Sequence, residues 1–139
     1  MASDETKKIA LITGGNRGLG KDMALSLAKM GMDVLLTFNS NPAEGEAAVE
    51  EIRQLGGSAA ALHLDLSDIP AIEGFMDRVR TVLRDIFDGA EHIDFLINNA
   101  GIGKPIPIDS LTETDFDLFA AVHFKGALFL TQKAAPNDE

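Results

Sequence analysis

The chain has 139 residues, a formal net charge of −10, and neither cysteine, tyrosine nor tryptophan. That length suits a single domain able to bury roughly two thirds of its unfolded surface. The acidic balance argues against nucleic acid and membrane surfaces as partners, and the missing thiols exclude disulfides and thiolate metal sites. His63, His92 and His123 show no metal-ligand spacing, so no metal is expected. No apolar run approaches the ~20 residues needed to cross a bilayer. The first eight residues lack the apolar core of a signal peptide, and the chain reads as soluble and cytoplasmic.

Strand and helix signals then alternate. Ile9–Thr13 is an apolar run that predicts a first strand. A helix follows from about Arg17 to Met30, where Leu19, Met23, Leu27 and Met30 recur at helical spacing and Gly31 supplies a stop. Asp33–Phe38 reads as a second buried strand. Asn41-Pro42 is a capping side chain followed by a proline at the first helical position, and that helix runs to Leu55 before Gly56-Gly57. Ser58–Leu64 is a third strand, weakened by alanine.

The next helix, from about Ile69 to Phe87, carries Ile72, Met76, Val79, Leu83 and Ile86 on one face. Ile93–Asn98 is the fourth strand. After a loop rich in proline and glycine, Thr112-Glu113-Thr114-Asp115 resembles a capping box with Asp in place of Glu or Gln. The last helix is expected to reach about Ala135, with Phe116, Phe119, His123, Phe124, Ala127 and Thr131 along one side. Those phenylalanines read as core or subunit contact.

Four near-continuous apolar strands separated by helices imply an α/β fold, a Rossmann-type parallel sheet with helices on both faces. Right-handed crossovers give the strand order 3-2-1-4, with the switch point between strands 1 and 4. The turn Gly14-x-x-x-Gly18-x-Gly20 lies at that crevice, where glycines let a phosphate approach backbone N–H groups and a helix N-terminus. The expected ligand is a dinucleotide. Asp65 closes strand 3, Asn98-Asn99-Ala100-Gly101 closes strand 4, and Phe38-Asn39-Ser40 ends strand 2 about twenty residues past the turn, where ribose-reading residues sit.

With these positions filled, the chain resembles the short-chain dehydrogenase/reductase family. The family pattern T-G-x-x-x-G-x-G matches Thr13 to Gly20, N-N-A-G matches Asn98 to Gly101, and the aspartate after strand 3 matches Asp65-Leu66. Ala121-Val122-His123-Phe124-Lys125-Gly126 is similar to the segment that follows the start of the family's fourth helix. The resemblance implies a single dinucleotide-binding domain over residues 1–139, the first half of the family's fold without its later strands. It implies cofactor contacts at Gly14, Asn16, Arg17, Gly18, Leu19, Gly20, Asn39, Ser40, Asp65, Leu66, Asn99, Ala100 and Gly101.

The end of strand 2 carries no carboxylate, and Arg17 can pair with a 2′-phosphate through its planar fork, so NADP is expected over NAD. The family implies hydride transfer between nicotinamide and an alcohol or carbonyl. It performs this with a serine, a tyrosine and a lysine that have no counterpart here, and His123 stands at the position of the family's helix-4 asparagine. No turnover by these 139 residues alone is therefore expected; the alternative is a catalytically inactive binding or assembly module. Phe95-Leu96-Ile97 would form an apolar sheet edge, so a homo-oligomer through that edge or the last helix is expected, or else a chain that is a fragment of a longer protein.

Overall fold

The computed structural model describes residues 7–100, 108–110 and 112–134. The strands are β1 (Ile9–Ile12), β2 (Asp33–Phe38), β3 (Ala59–His63) and β4 (Phe95–Ile97). They form one parallel sheet in the order β3-β2-β1-β4, as the crossover rule requires. β1 is central. Its Leu11 pairs with Leu35 on one side and Leu96 on the other.

Alternate residues feed two separate cores. Ile9, Leu11 and Leu35 point to one face, where helix α3 (Ala71–Asp85) and helix α5 (Ala127–Ala134) pack. Ile12, Val34 and Leu36 point to the other, under helices α1 (Gly18–Lys29) and α2 (Pro42–Gln54). Leu11, Ile12, Leu35 and Leu36 are wholly buried, each stabilising the fold by about 1.5–3 kcal/mol relative to exposure.

The helix ends follow their local chemistry. Asn41 Oδ1 accepts from the backbone N–H of Glu44 at 3.1 Å, with Pro42 in the first turn, and α2 gives way to Gly56 at φ +92°. Helix α4 (Glu113–Ala120) opens on a complete capping box between Thr112 and Asp115.

Three expectations change. The deepest face of α1 is the small-residue stripe Gly20, Ala24 and Ala28, whereas Leu19 and Met30 are about 70% exposed. Small side chains let this helix lie close to the sheet, which outweighs the hydrophobicity of the leucine and methionine. Helix α3 buries Ile72, Phe75, Met76, Val79 and Leu83 but leaves Ile86 exposed. The helix has ended by then, and Phe87 fills the core position. Finally, α4 and α5 are not one uniform helix; a π-helical turn, Ala121–Gly126, joins them. Gly126 is buried against the carbonyl of Leu66, so closely that a Cβ there would overlap it. The wider turn sets both Gly126 and Leu130 against the rest of the fold.

Lys133 bridges to Glu73 at 2.5 Å and ties α5 to α3. That hydrogen bond and charge hold the Glu73 carboxyl below the usual glutamate range, with a smaller contribution from Arg80. Among the described residues β4 pairs only with β1, and its Phe95 is 47% exposed, as expected of an apolar edge. No described helix is long and apolar enough to cross a membrane, and no group of three metal-ligating side chains occurs among the described residues.

Candidate functional site

The carboxyl ends of β1 and β4 meet around one hydroxyl, and β2 joins them through a second. Thr13 Oγ1 accepts from the backbone N–H groups of Asn99 and Ala100, both at 3.0 Å, and approaches the carbonyl of Ile97 at 3.4 Å. Thr13 is fully buried, and its own N–H donates to Ile97 O at 3.1 Å. The segment leaving β4 is thereby fastened to the turn leaving β1. Asn99 adds a second fastening, its Nδ2 donating to Gly14 O at 3.2 Å. From β2, Thr37 Oγ1 accepts the N–H of Gly14 at 3.0 Å.

The glycines of the turn have separate duties. Gly14 sits at φ +69°, and a Cβ there would lie 3.0 Å from Ala100 Cα. A Cβ on Gly20 would overlap Gly14 O and Asn99 Nδ2, so this glycine lets α1 approach the strand ends. Gly18, at φ +60°, has nothing within 4 Å of its Cβ position and lines open space. Gly14 and Gly20 are closely packed by neighbouring protein atoms, whereas the Cβ position of Gly18 is open. Arg17, the N-cap of α1, makes no side-chain capping bond, and the first turn holds no acidic residue. The leading amides of a 12-residue helix are therefore available to an anion.

A cleft of about 270 Å³ opens over this turn, lined by residues of all three strand ends. Gly14, Asn16, Arg17 and Gly18 come from the turn, Asn39 and Ser40 from the end of β2, and Asn99 and Ala100 from the end of β4. These eight expected residues share one surface. Thr37, Asn41 and Leu64 also line it. Their sequence signals were a strand threonine, a helix cap and an ordinary strand leucine, none of which marks a ligand contact by itself. Among the described residues no carboxylate lines the cleft, and the exposed Arg17 guanidinium has no ion-pair partner.

Other expected residues stand apart from that lining. Gly20 is buried behind it and Leu19 is exposed. Asp65 Oδ1 accepts from both the N–H and the hydroxyl of Ser67, at 2.9 and 2.6 Å, which caps the turn after β3. Leu66 is core, packed beneath Gly126. Gly101 and the side chains of Phe116, Phe119, His123 and Phe124 lie outside the described residues. Asn98 Nδ2 donates to Thr131 Oγ1 at 3.0 Å and connects β4 to α5.

Comparison with known proteins agrees with this geometry. A family model described as short chain dehydrogenase matches residues 8–138. The hydroxynaphthalene reductase-like protein Arp2 of Metarhizium robertsii is 31% identical over 140 residues, covering 96% of this chain and 50% of the relative. A short chain dehydrogenase from Burkholderia cenocepacia, solved in complex with NADP, is similar with a TM-score of 0.80 and 33% identity, over 94% of this chain and 51% of that one. A metagenomic short-chain oxidoreductase, also in complex with NADP, has a TM-score of 0.76 and 30% identity, over 90% and 53%. The chain spans about half the length of the relatives it matches. With strand order, glycine turn and family model in agreement, the chain belongs to the short-chain dehydrogenase family.

Proposed function

We propose that these 139 residues form one dinucleotide-binding unit, the cofactor-holding half of an NADP-dependent short-chain oxidoreductase. When bound, the nicotinamide would supply hydride exchange with an alcohol or carbonyl. The chain's own part is binding and orientation. The open first turn of α1 and Gly18 suit a pyrophosphate and Asn99 and Ala100 suit the ribose, while the family resemblance adds Gly101 to the ribose contacts and assigns Asp65 and Leu66, which stand outside the lining, to the adenine end. Arg17, Asn39 and Ser40 suit a 2′-phosphate.

One observation carries the cofactor choice: among the described residues, the cleft is lined by an exposed arginine with no ion-pair partner and by no carboxylate. A carboxylate would favour a free ribose 2′-hydroxyl and repel a phosphate; an arginine does the reverse. The two NADP complexes among similar structures support the same choice. Titration with NADPH and NADH, followed by nucleotide fluorescence and calorimetry, tests it. NADPH is expected to bind at least tenfold more tightly, and Arg17→Ala is expected to remove about tenfold of NADPH affinity, the scale of a charge-assisted hydrogen bond, while sparing NADH. Equal affinity for the two nucleotides refutes the assignment.

Tyrosine is absent from the sequence, which favours a second reading, a nucleotide-binding module without chemistry of its own. Carbonyl-dependent oxidation of NADPH by this polypeptide would remove that reading. Self-association through the last helix or the β4 edge belongs to the same proposal. Leu118 and Leu128 are exposed on α4 and α5, as is Phe95 on β4. Light scattering after size exclusion tests it, and a monomer at micromolar concentration counts against it.

A further inference from the structure

Asn16 is about nine-tenths buried, and its amide is held by a residue that does not itself line the cleft. Asn16 Nδ2 donates to Glu44 Oε1 at 3.1 Å, across from the β1 turn to the first turn of α2. The same glutamate uses its backbone N–H to donate to Asn41 Oδ1, also at 3.1 Å. Asn16 and Asn41 both line the cleft. One half-buried residue therefore holds two cleft amides, one through its side chain and one through its main chain.

The chemistry of those partners dictates which way each amide faces. A carboxylate only accepts, so the Asn16 NH2 must turn toward it, leaving the Asn16 oxygen free to accept. A backbone N–H only donates, so the Asn41 oxygen must turn toward Glu44, leaving both N–H groups of Asn41 as donors. A phosphate oxygen needs donors and a ribose hydroxyl needs an acceptor, and this arrangement offers one of each. Resting on the NADP assignment above, we infer that Glu44 is a positioning residue for the adenosine ribose of the nucleotide: its carboxylate turns the Asn16 oxygen toward a ribose hydroxyl, and its backbone N–H turns the Asn41 donors toward the 2′-phosphate. Glu44 does not itself line the cleft; its carboxylate orients an acceptor through Asn16 and its main chain orients donors through Asn41.

The test uses the full chain, with dissociation constants for NADPH, NADH, 2′,5′-ADP and 5′-AMP. Glu44→Ala frees the Asn16 amide and is expected to weaken all four ligands about fivefold, since each carries a ribose hydroxyl, while the main-chain hold on Asn41 keeps the preference for 2′,5′-ADP over 5′-AMP unchanged. Glu44→Gln keeps an acceptor oxygen at the same reach and is expected to restore wild-type affinity. The double variant Glu44→Ala with Asn16→Ala should lose no more NADPH affinity than Asn16→Ala alone, since both remove one interaction. Glu44→Asp retracts the carboxylate by one methylene and should behave as Glu44→Ala, which keeps the test alive if the alanine variant fails to fold. A changed preference between 2′,5′-ADP and 5′-AMP, no weakening of any ligand, or failure of glutamine to rescue would overturn the inference. If the unsubstituted chain itself does not discriminate 2′,5′-ADP from 5′-AMP, the NADP assignment falls and takes the inference with it. Discrimination with an unresponsive Glu44 overturns the inference alone.

Discussion

Replacing Thr13 by valine changes almost no volume and removes one oxygen. That oxygen accepts the N–H groups of Asn99 and Ala100 at 3.0 Å each, from a side chain with no solvent exposure. Valine leaves both donors facing a methyl group. An unsatisfied buried donor costs about 1–3 kcal/mol, and since Asn99 and Ala100 are only half-buried, water recovers part of it. The net loss is expected at about 2–4 kcal/mol, a large share of the stability of a domain this size. The chain has neither tryptophan nor tyrosine, so unfolding is best followed by far-UV circular dichroism in urea. With a urea slope of about 1.5 kcal/mol/M, a loss of 3 kcal/mol moves the midpoint by about 2 M. Thr13→Ser keeps the oxygen and should lose no more than about 1 kcal/mol, the worth of a single buried methyl. A midpoint unchanged in Thr13→Val, or serine as damaging as valine, would show that the hydroxyl does not fasten β4 to the turn.

Gly20→Ala drives a Cβ into Gly14 O and Asn99 Nδ2 and should destabilise by about 2–4 kcal/mol, from overpacking and a lost hydrogen bond, read as a lower midpoint in the same assay. Gly74→Ala is the counterpart: the position lies inside α3 with open space around it, and alanine should stabilise by about 0.5–1 kcal/mol, read as a higher midpoint. The Glu73–Lys133 pair should make stability depend on acidity. Because the folded Glu73 carboxyl titrates below its unfolded value, the contribution is present above the unfolded value and is lost as pH falls through the folded one. Lys133→Met should therefore lower the melting temperature slightly at neutral pH, and the gap to the parent chain should narrow as the pH falls below the usual glutamate range. A gap that does not narrow on acidification would assign the effect to packing instead.

The parts of the fold that were legible are those written in one residue's chemistry. Asn41-Pro42, Thr112 with Asp115, and glycines 31 and 56 mark helix ends because capping and left-handed backbone need those side chains, or none. The strand order followed from alternation and handedness. What escaped depends on contacts between distant elements. Nothing local tells Ala24 and Ala28 to take the buried side of α1 ahead of Leu19; that is decided by how near the sheet lies. Nothing near residue 121 announces a π-helical turn, and the contact it accommodates, Gly126 against the Leu66 carbonyl, lies across the fold. In the cleft, the glycine turn and the asparagines could be named in advance. Thr37 and Leu64 could not, since each joins only once β2 stands beside β1 and β3 beside β2.

The wide turn between Ala121 and Gly126 holds one residue more than a regular α-helix would use over the same rise. It is therefore a slack point in the chain. Deleting a single residue inside it can be absorbed by tightening to ordinary α geometry, with Leu130 still seated and Lys133 still within reach of Glu73. The same deletion between Ala127 and Phe129 has no such reserve: Leu130 and Lys133 beyond it rotate by about 100° and slide by about 1.5 Å. Length variation in this helical rod should thus be tolerated at one place and refused a few residues away.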